Sequence, residues 1–248
     1  ESWRYRNVWL TFLLYIVVDI LVSPSHVMEH LYVGAILGYD AINAVSLNWM
    51  VLLGMVAGAL FTYRYFALRK WKYKTMTVIG FSFIVAYLLS MYFIIDYNVP
   101  KSMLLLPLLL RGFGYIIIAI SFITALTVVP FQNFFQTLTI QAFISACCGS
   151  LVGSAILDRV FKITMGQNVM LLGATIDKVN PIIRRTSLES LFGSLQQQAM
   201  VVSMKEMYGW LCIMGIFCLL LFFFRESSLR PRSLHPKVST KTHAINHQ

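Results

Sequence analysis

Residues 102–129, SMLLLPLLLRGFGYIIIAISFITALTVV, decide how the rest of the chain is read. About 20 apolar residues at 1.5 Å rise cross a hydrocarbon core ~30 Å thick, so this run predicts a transmembrane helix. Arg111 interrupts it nine residues after Ser102. A guanidinium near the bilayer midplane costs at least ~2.5–3.5 kcal/mol, so it must face protein or water inside a bundle. An intramembrane charge is by default a functional candidate. The competing reading is a structural arginine satisfied by backbone carbonyls between helices.

Outward from this run the composition agrees. With 58% hydrophobic and 12% charged residues, the chain is too apolar for a soluble domain. Its apolar segments come in helix-length pieces rather than ten-residue alternating stretches, which predicts a helical bundle and not a barrel. Six spans are expected, at 8–28, 41–60, 75–95, 102–129, 134–157 and 207–224. Residues 1–226 are then one all-α transmembrane domain, with an extracytoplasmic loop at 158–206 and a basic, disordered tail at 227–248. The chain opens at Glu1 without an initiator Met or a signal-peptide pattern, so it is expected to be a piece of a longer protein. Cys147, Cys148, Cys212 and Cys218 all fall in spans, and core packing is the expected role.

Charge gives an orientation. If the N-terminus, residues 61–74 and the tail share one side, that side carries twelve Lys/Arg against Glu1 and Glu226. The other side carries seven basic and seven acidic residues, Glu29 among them, and Asp19 and Arg111 cancel within the membrane. The formal charge of +10 then lies on one face, as expected for cytoplasm, with both termini inside. A nucleic-acid partner is not needed to explain the basic balance.

Other spans carry patterns of their own. Tyr15, Asp19, Ser23, His26 and His30 recur at helical spacing and form a polar stripe that must face a helix or a wet path. Ser23-Pro24-Ser25 interrupts that span. The second span holds Gly54-x-x-x-Gly58, a spacing that lets helix backbones approach closely. In the fifth, Ala142, Ala146, Gly149 and Gly153 make a small-residue stripe beside a polar one of Thr137, Gln141, Ser145 and Cys148. Tyr15, Ser23, His26, Tyr115, Gln141 and Ser145 are the expected cavity-lining residues. Leu188, Leu191, Phe192, Leu195, Ala199 and Val202 predict an amphipathic helix within the loop.

Asp19 lies about 16 Å into its span from the cytoplasmic end, and Arg111 about 14 Å into its own from the outer end. Both charges thus reach nearly the same level, where they could pair across helices. Burial favours a protonated carboxyl and a neighbouring guanidinium favours the carboxylate, so movement of the arginine would switch proton affinity. That is the minimum machinery of a proton-coupled carrier. His26-Val-Met-Glu29-His30 matches the H-x-x-E-H order of inverted zinc proteases, but at a membrane border with no soluble catalytic domain to supply a further ligand. No metal, cofactor or enzymatic activity is expected. No Walker loop or nucleophile elbow is present.

Four stretches together resemble the C-terminal half of a major facilitator superfamily transporter, of the fourteen-helix EmrB/QacA drug:proton antiporter type. Residues 32–54 look like the loop and helix that open this half. Residues 54–74, with Gly58 and Arg64, resemble the signature cytoplasmic loop, although the acidic residue usual there is missing. Leu108-Leu-Leu-Arg111-Gly112-Phe-Gly114 is similar to the Arg-Gly-x-Gly motif of the fourth helix, tied in the family to proton coupling. Residues 141–157, with Gly149 and Gly153, look like the penultimate span. Asp19 matches no family motif, and its role rests on depth alone.

The resemblance implies a three-plus-three inverted repeat, with the site near the midplane against an N-terminal half. It implies proton-coupled export of small drug-like or amphipathic compounds through a bacterial inner membrane, with a periplasmic adaptor as a possible further partner. The alternative is a membrane scaffold that docks a protein through residues 158–206.

Overall fold

The computed structural model describes residues 6–69, 73–127, 131–174 and 188–224. All regular structure among them is helical, and six helical spans are long and apolar enough to cross a membrane. The chain is therefore a multi-pass helical membrane protein by length and composition. The basic tail after Phe224 and residues 175–187 lie outside the described residues.

The helices are α1 (Arg6–Leu31), α2 (Ala41–Thr62), α3 (Tyr73–Ile94), α4 (Lys101–Leu126), α5 (Phe131–Ile144), α6 (Ser154–Ala174) and α7 (Leu188–Phe224). Three π-helical segments extend them: Tyr32–Ile36 after α1, Tyr63–Leu68 after α2, and Ser145–Gly153 joining α5 to α6.

Two expected boundaries move. The first helix passes its expected end at Met28, and Ser23-Pro24-Ser25 lies within it. Pro24 sits inside α1 and removes one backbone donor, while the Ser25 hydroxyl donates to the Leu21 carbonyl at 2.6 Å. Helix and π turn then run on to Ile36, so Glu29, expected in an outer loop, lies inside the bundle with 8% of its surface exposed. Gly38, at φ +63°, makes the turn that releases the chain into α2. Tyr32 pins this end by donating to the Asp96 carbonyl at 2.6 Å, and Tyr39 donates to the Val99 carbonyl at 3.4 Å.

The described parts of 158–206 are not loop but helix. α5, the π segment and α6 form one span of 43 residues, Gln132–Ala174, and α7 has 37. At 1.5 Å per residue these reach about 65 and 55 Å, well past a ~30 Å core. Their ends pack as a pair of arms. Asn168 is buried there and donates to the Ser203 hydroxyl at 2.9 Å and to Glu206 Oε2 at 3.3 Å. The expected amphipathic helix is the start of α7. Its apolar face is only half covered: Ala199 is buried, whereas Phe192 is 57% exposed.

Glycines set the tightest packing. α2 and α4 run parallel, and Lys101 joins their first turns by donating to Ser46 Oγ at 2.5 Å. A Cβ on Gly54 would strike the Leu109 carbonyl, one on Gly58 would stand 2.8 Å from the Phe113 carbonyl, and one on Gly112 would strike the Val51 carbonyl. Across the other face of α4, a Cβ on Gly114 would lie 2.7 Å from the Gly80 carbonyl of α3. The two glycines after Arg111 therefore nest α4 between α2 and α3. Gly149 packs on α1, where an added Cβ would stand 2.6 Å from that of Asp19. Gly153 is buried, and Arg64 is exposed in the π turn after α2.

Gly112→Val should abolish the folded peak of detergent-solubilised protein in size-exclusion chromatography, because its contact is backbone that cannot yield. Gly166→Ala, where nothing lies within 4 Å, should leave that peak unchanged.

Candidate functional site

A cavity of about 950 Å³ opens between α1, α2, α4 and α5. α1 contributes Tyr15, Asp19, Ser23 and His26 to its wall, and α4 contributes Arg111, Tyr115 and Phe122. Asn48 and Val51 come from α2, and Gln141 and Ser145 from α5 and the π turn that follows it. α3 and α7 pack outside this ring and contact each other. The structure thus gathers all the sequence-derived cavity and charge candidates around one space.

The two charges of that space do not pair with one another. Arg111 forms its ion pair with Glu29, and its side chain and that of Glu29 are only 6% and 11% exposed. The other Glu29 oxygen accepts from the Tyr87 hydroxyl at 2.6 Å. The guanidinium also stands 5.8 Å from the centre of the Tyr87 ring, within cation–π range. Tyr87 and Tyr208 are both fully buried, and Tyr208 donates to the Ser25 carbonyl at 3.2 Å. This cluster lies behind the cavity wall, with Arg111 reaching both sides.

The direction of side chains on a helix explains the choice of partner. Every Cα–Cβ bond tilts toward its own helix N-terminus. α1 and α4 run antiparallel, with Tyr15 facing both Tyr115 and Phe122. Arg111 therefore leans toward the end where α1 finishes, and Glu29, coming from that end, leans back to meet it. Asp19, on the same helix as Glu29, leans the opposite way to Arg111. It instead accepts a hydrogen bond from Ser145, the first residue of the π segment. That π turn carries the Ser145 hydroxyl onto α1, beside the Gly149 contact, and π turns of this kind recur at functional sites.

Three members of the cluster escape the sequence reading. Glu29 sits just beyond the expected end of the first span. Tyr87 lies in a third span that carries no polar pattern, and Tyr208 lies at the start of the last. The only usable signal was Glu29 itself, three residues after His26 at the edge of the polar stripe. His26 and His30 face each other with ring centres 4.6 Å apart, while the carboxylate between them turns to Arg111. That arrangement does not converge the H-x-x-E-H residues on one point. Cys212 is buried, and Cys147 and Cys218 are half-buried free thiols; the Cys148 side chain lies outside the described residues.

Behind Glu29 is a second, small cavity of about 30 Å³, lined also by His30, Asn48 and apolar side chains of α2, α3 and α4. It is large enough for a water molecule and has polar groups to hold one. Comparison with protein-family models finds no match, and comparison with curated proteins finds none either.

A buried ion pair is costly to break from one side, because the survivor is left charged and uncompensated, about 3–5 kcal/mol. Arg111→Met should lower thermal stability by about that amount in detergent. Adding Glu29→Gln should restore most of it. Adding Asp19→Asn instead should restore little, and a rescue equal to that of Glu29→Gln would refute the pairing. The coupling is read from the double-mutant cycles.

Proposed function

We propose that this chain is one half of a proton-coupled secondary transporter of the major facilitator kind, exporting small drug-like or amphipathic compounds. The observation that carries the reading is the buried Glu29–Arg111 pair, whose arginine also lines a ligand-sized cavity. Cavities of roughly 300–1,000 Å³ suit drug-sized ligands. An intramembrane carboxylate held by an arginine and a tyrosine can take a proton when the arginine is drawn away. A ligand in the cavity meets that arginine directly.

The pattern of neighbours supports an inverted repeat of α1–α3 and α4–α7. Exchanging α1 with α4, α2 with the fifth span, and α3 with α7 relates two of the contacts, while the close packing of α3 on α4 has only a slight counterpart in α1 on α7, and that of α6 on α7 has no comparable one between α2 and α3. α2 on α4 becomes the π segment on α1, and α3 on α7 becomes itself. Both symmetry-related contacts are glycine-backed, by Gly54 and Gly58 in one and Gly149 in the other. The helices that line the cavity are then the first two of each triplet, the arrangement in which an N-terminal half would supply the facing wall. In this reading both termini face the cytoplasm of a bacterial inner membrane.

The scaffold reading has one observation in its favour: Met170 and Leu171 of α6 and Phe192 of α7 stay exposed on the long arms. It gives no reason for an ion pair buried against a cavity, and the carrier reading does. A periplasmic adaptor on the arms is compatible with transport.

In proteoliposomes holding the intact transporter, with ethidium as probe, Glu29→Gln should reduce pH-gradient-driven movement to the level of protein-free vesicles. Exchange of ethidium across the same membranes without a gradient should persist. Arg111→Ala should lose gradient-driven movement as well. Gradient-driven transport at the wild-type rate in Glu29→Gln would reject the coupling role.

A further inference from the structure

Three polar residues follow one another along the fifth span at one-turn spacing, and two of them are satisfied. Thr137 donates to the Asn133 carbonyl at 2.7 Å, and Ser145 donates to Asp19. Between them stands Gln141, only 3% exposed and on the cavity wall. Neither its Nε2 nor its Oε1 has a hydrogen-bond partner among the described residues. Buried side-chain polar groups are nearly always paired, and an exception calls for an explanation.

We propose that Gln141 is the ligand-recognising residue of this cavity, and that it takes the carboxamide, lactam or urea group of an amphipathic ligand. The inference rests on the cavity being a transport site, and it names the substrate chemistry. A primary amide offers a carbonyl acceptor beside N–H donors, so its best complement is a group with the same pair reversed. Such a group meets it through two antiparallel N–H···O bonds. A lone amine, carboxylate or ether satisfies only half of it. The rest of the wall suits the apolar body of such a ligand. Tyr15 and Phe122 lie with ring centres 4.9 Å apart, and the Tyr15 and Tyr115 hydroxyls stand 3.5 Å apart. The polar groups nearest along the chain are already engaged with protein, which leaves Gln141 as the unspent pair of donor and acceptor on that helix face.

3,4-Dihydro-2(1H)-quinolinone and dihydrocoumarin test this directly. They share a benzo-fused six-membered ring and differ in one ring atom, a lactam N–H held on the same side as its carbonyl in the first and an ester oxygen in the second. Their binding to the intact membrane protein in lipid nanodiscs, measured by equilibrium dialysis, should favour the lactam about tenfold, the size expected when one buried partner is left unmatched. In Gln141→Leu the two affinities should come within about twofold of each other. A second measurement separates recognition from structure. Without probe, Gln141→Leu should melt at or above the wild-type temperature, because it removes a buried amide that has no partner.

An amide-to-ester preference that survives Gln141→Leu overturns the assignment. So does a wild type that binds both probes alike or binds neither, or a variant that melts several degrees lower without probe. The carrier reading stands or falls separately, on gradient-driven ethidium movement.

Discussion

Two charges taken out of water, the Glu29 carboxylate and the Arg111 guanidinium, constrain everything around them. Each costs several kcal/mol to desolvate, and their attraction offsets this only with good geometry and further hydrogen bonds. Tyr87 supplies both kinds of help, a hydroxyl on the free carboxylate oxygen and a ring face within range of the guanidinium. That requirement ties three helices together at one point, since Glu29 is on α1, Tyr87 on α3 and Arg111 on α4. An apolar replacement of similar volume would hold the bundle at least as well. The pair is therefore weak evidence of stability.

The glycine contacts are what make that geometry reachable. α4 could not approach α2 and α3 together if residues 112 and 114 carried side chains, because each would meet backbone. With α4 wedged between them, Arg111 is held at a fixed depth with one side to the cavity and the other to Glu29. On the far side of α1, Gly149 does the same for the fifth span and brings Ser145 to Asp19. In lipid, where apolar surface alone does not drive helices together, close backbone packing and interhelical hydrogen bonds carry the association.

How much of this was legible in the sequence depends on the length scale of each signal. The helical membrane class follows from run length and hydropathy, which a single residue cannot upset. Arg111 was legible as well, because a charge inside an apolar run must face protein or water inside the bundle. Its partner was not. Depth along a helix axis placed Asp19 opposite Arg111, but side chains lean toward their own N-termini and antiparallel helices turn that lean into a selection rule. Arg111 met the carboxylate nearer the end of α1 and not the one that residue counting had placed opposite it. The first span was expected to end at Met28, whereas the helix and the π turn after it run on to Ile36 and carry Glu29 into the bundle. Residues 158–206 looked like a loop because they are polar enough to leave the membrane. Leaving the membrane does not end a helix that has another helix to pack on, as Asn168 and Ser203 do.

Two kinds of polar residue face the cavity, and the difference between them bears on mechanism. Asp19, Arg111 and Ser145 are engaged with protein, so a ligand that used them would have to break a bond first. Gln141 is unpartnered among the described residues, so a ligand can use it with no such cost. In the carrier proposed above, these become separate tasks. Recognition falls to the group that loses nothing by binding, and coupling falls to the pair whose disruption changes the proton affinity of Glu29. Arg111 joins the two, because it is the one member of the buried cluster that also forms part of the cavity wall. A ligand need not touch Glu29 to influence its protonation; it has only to compete for the arginine.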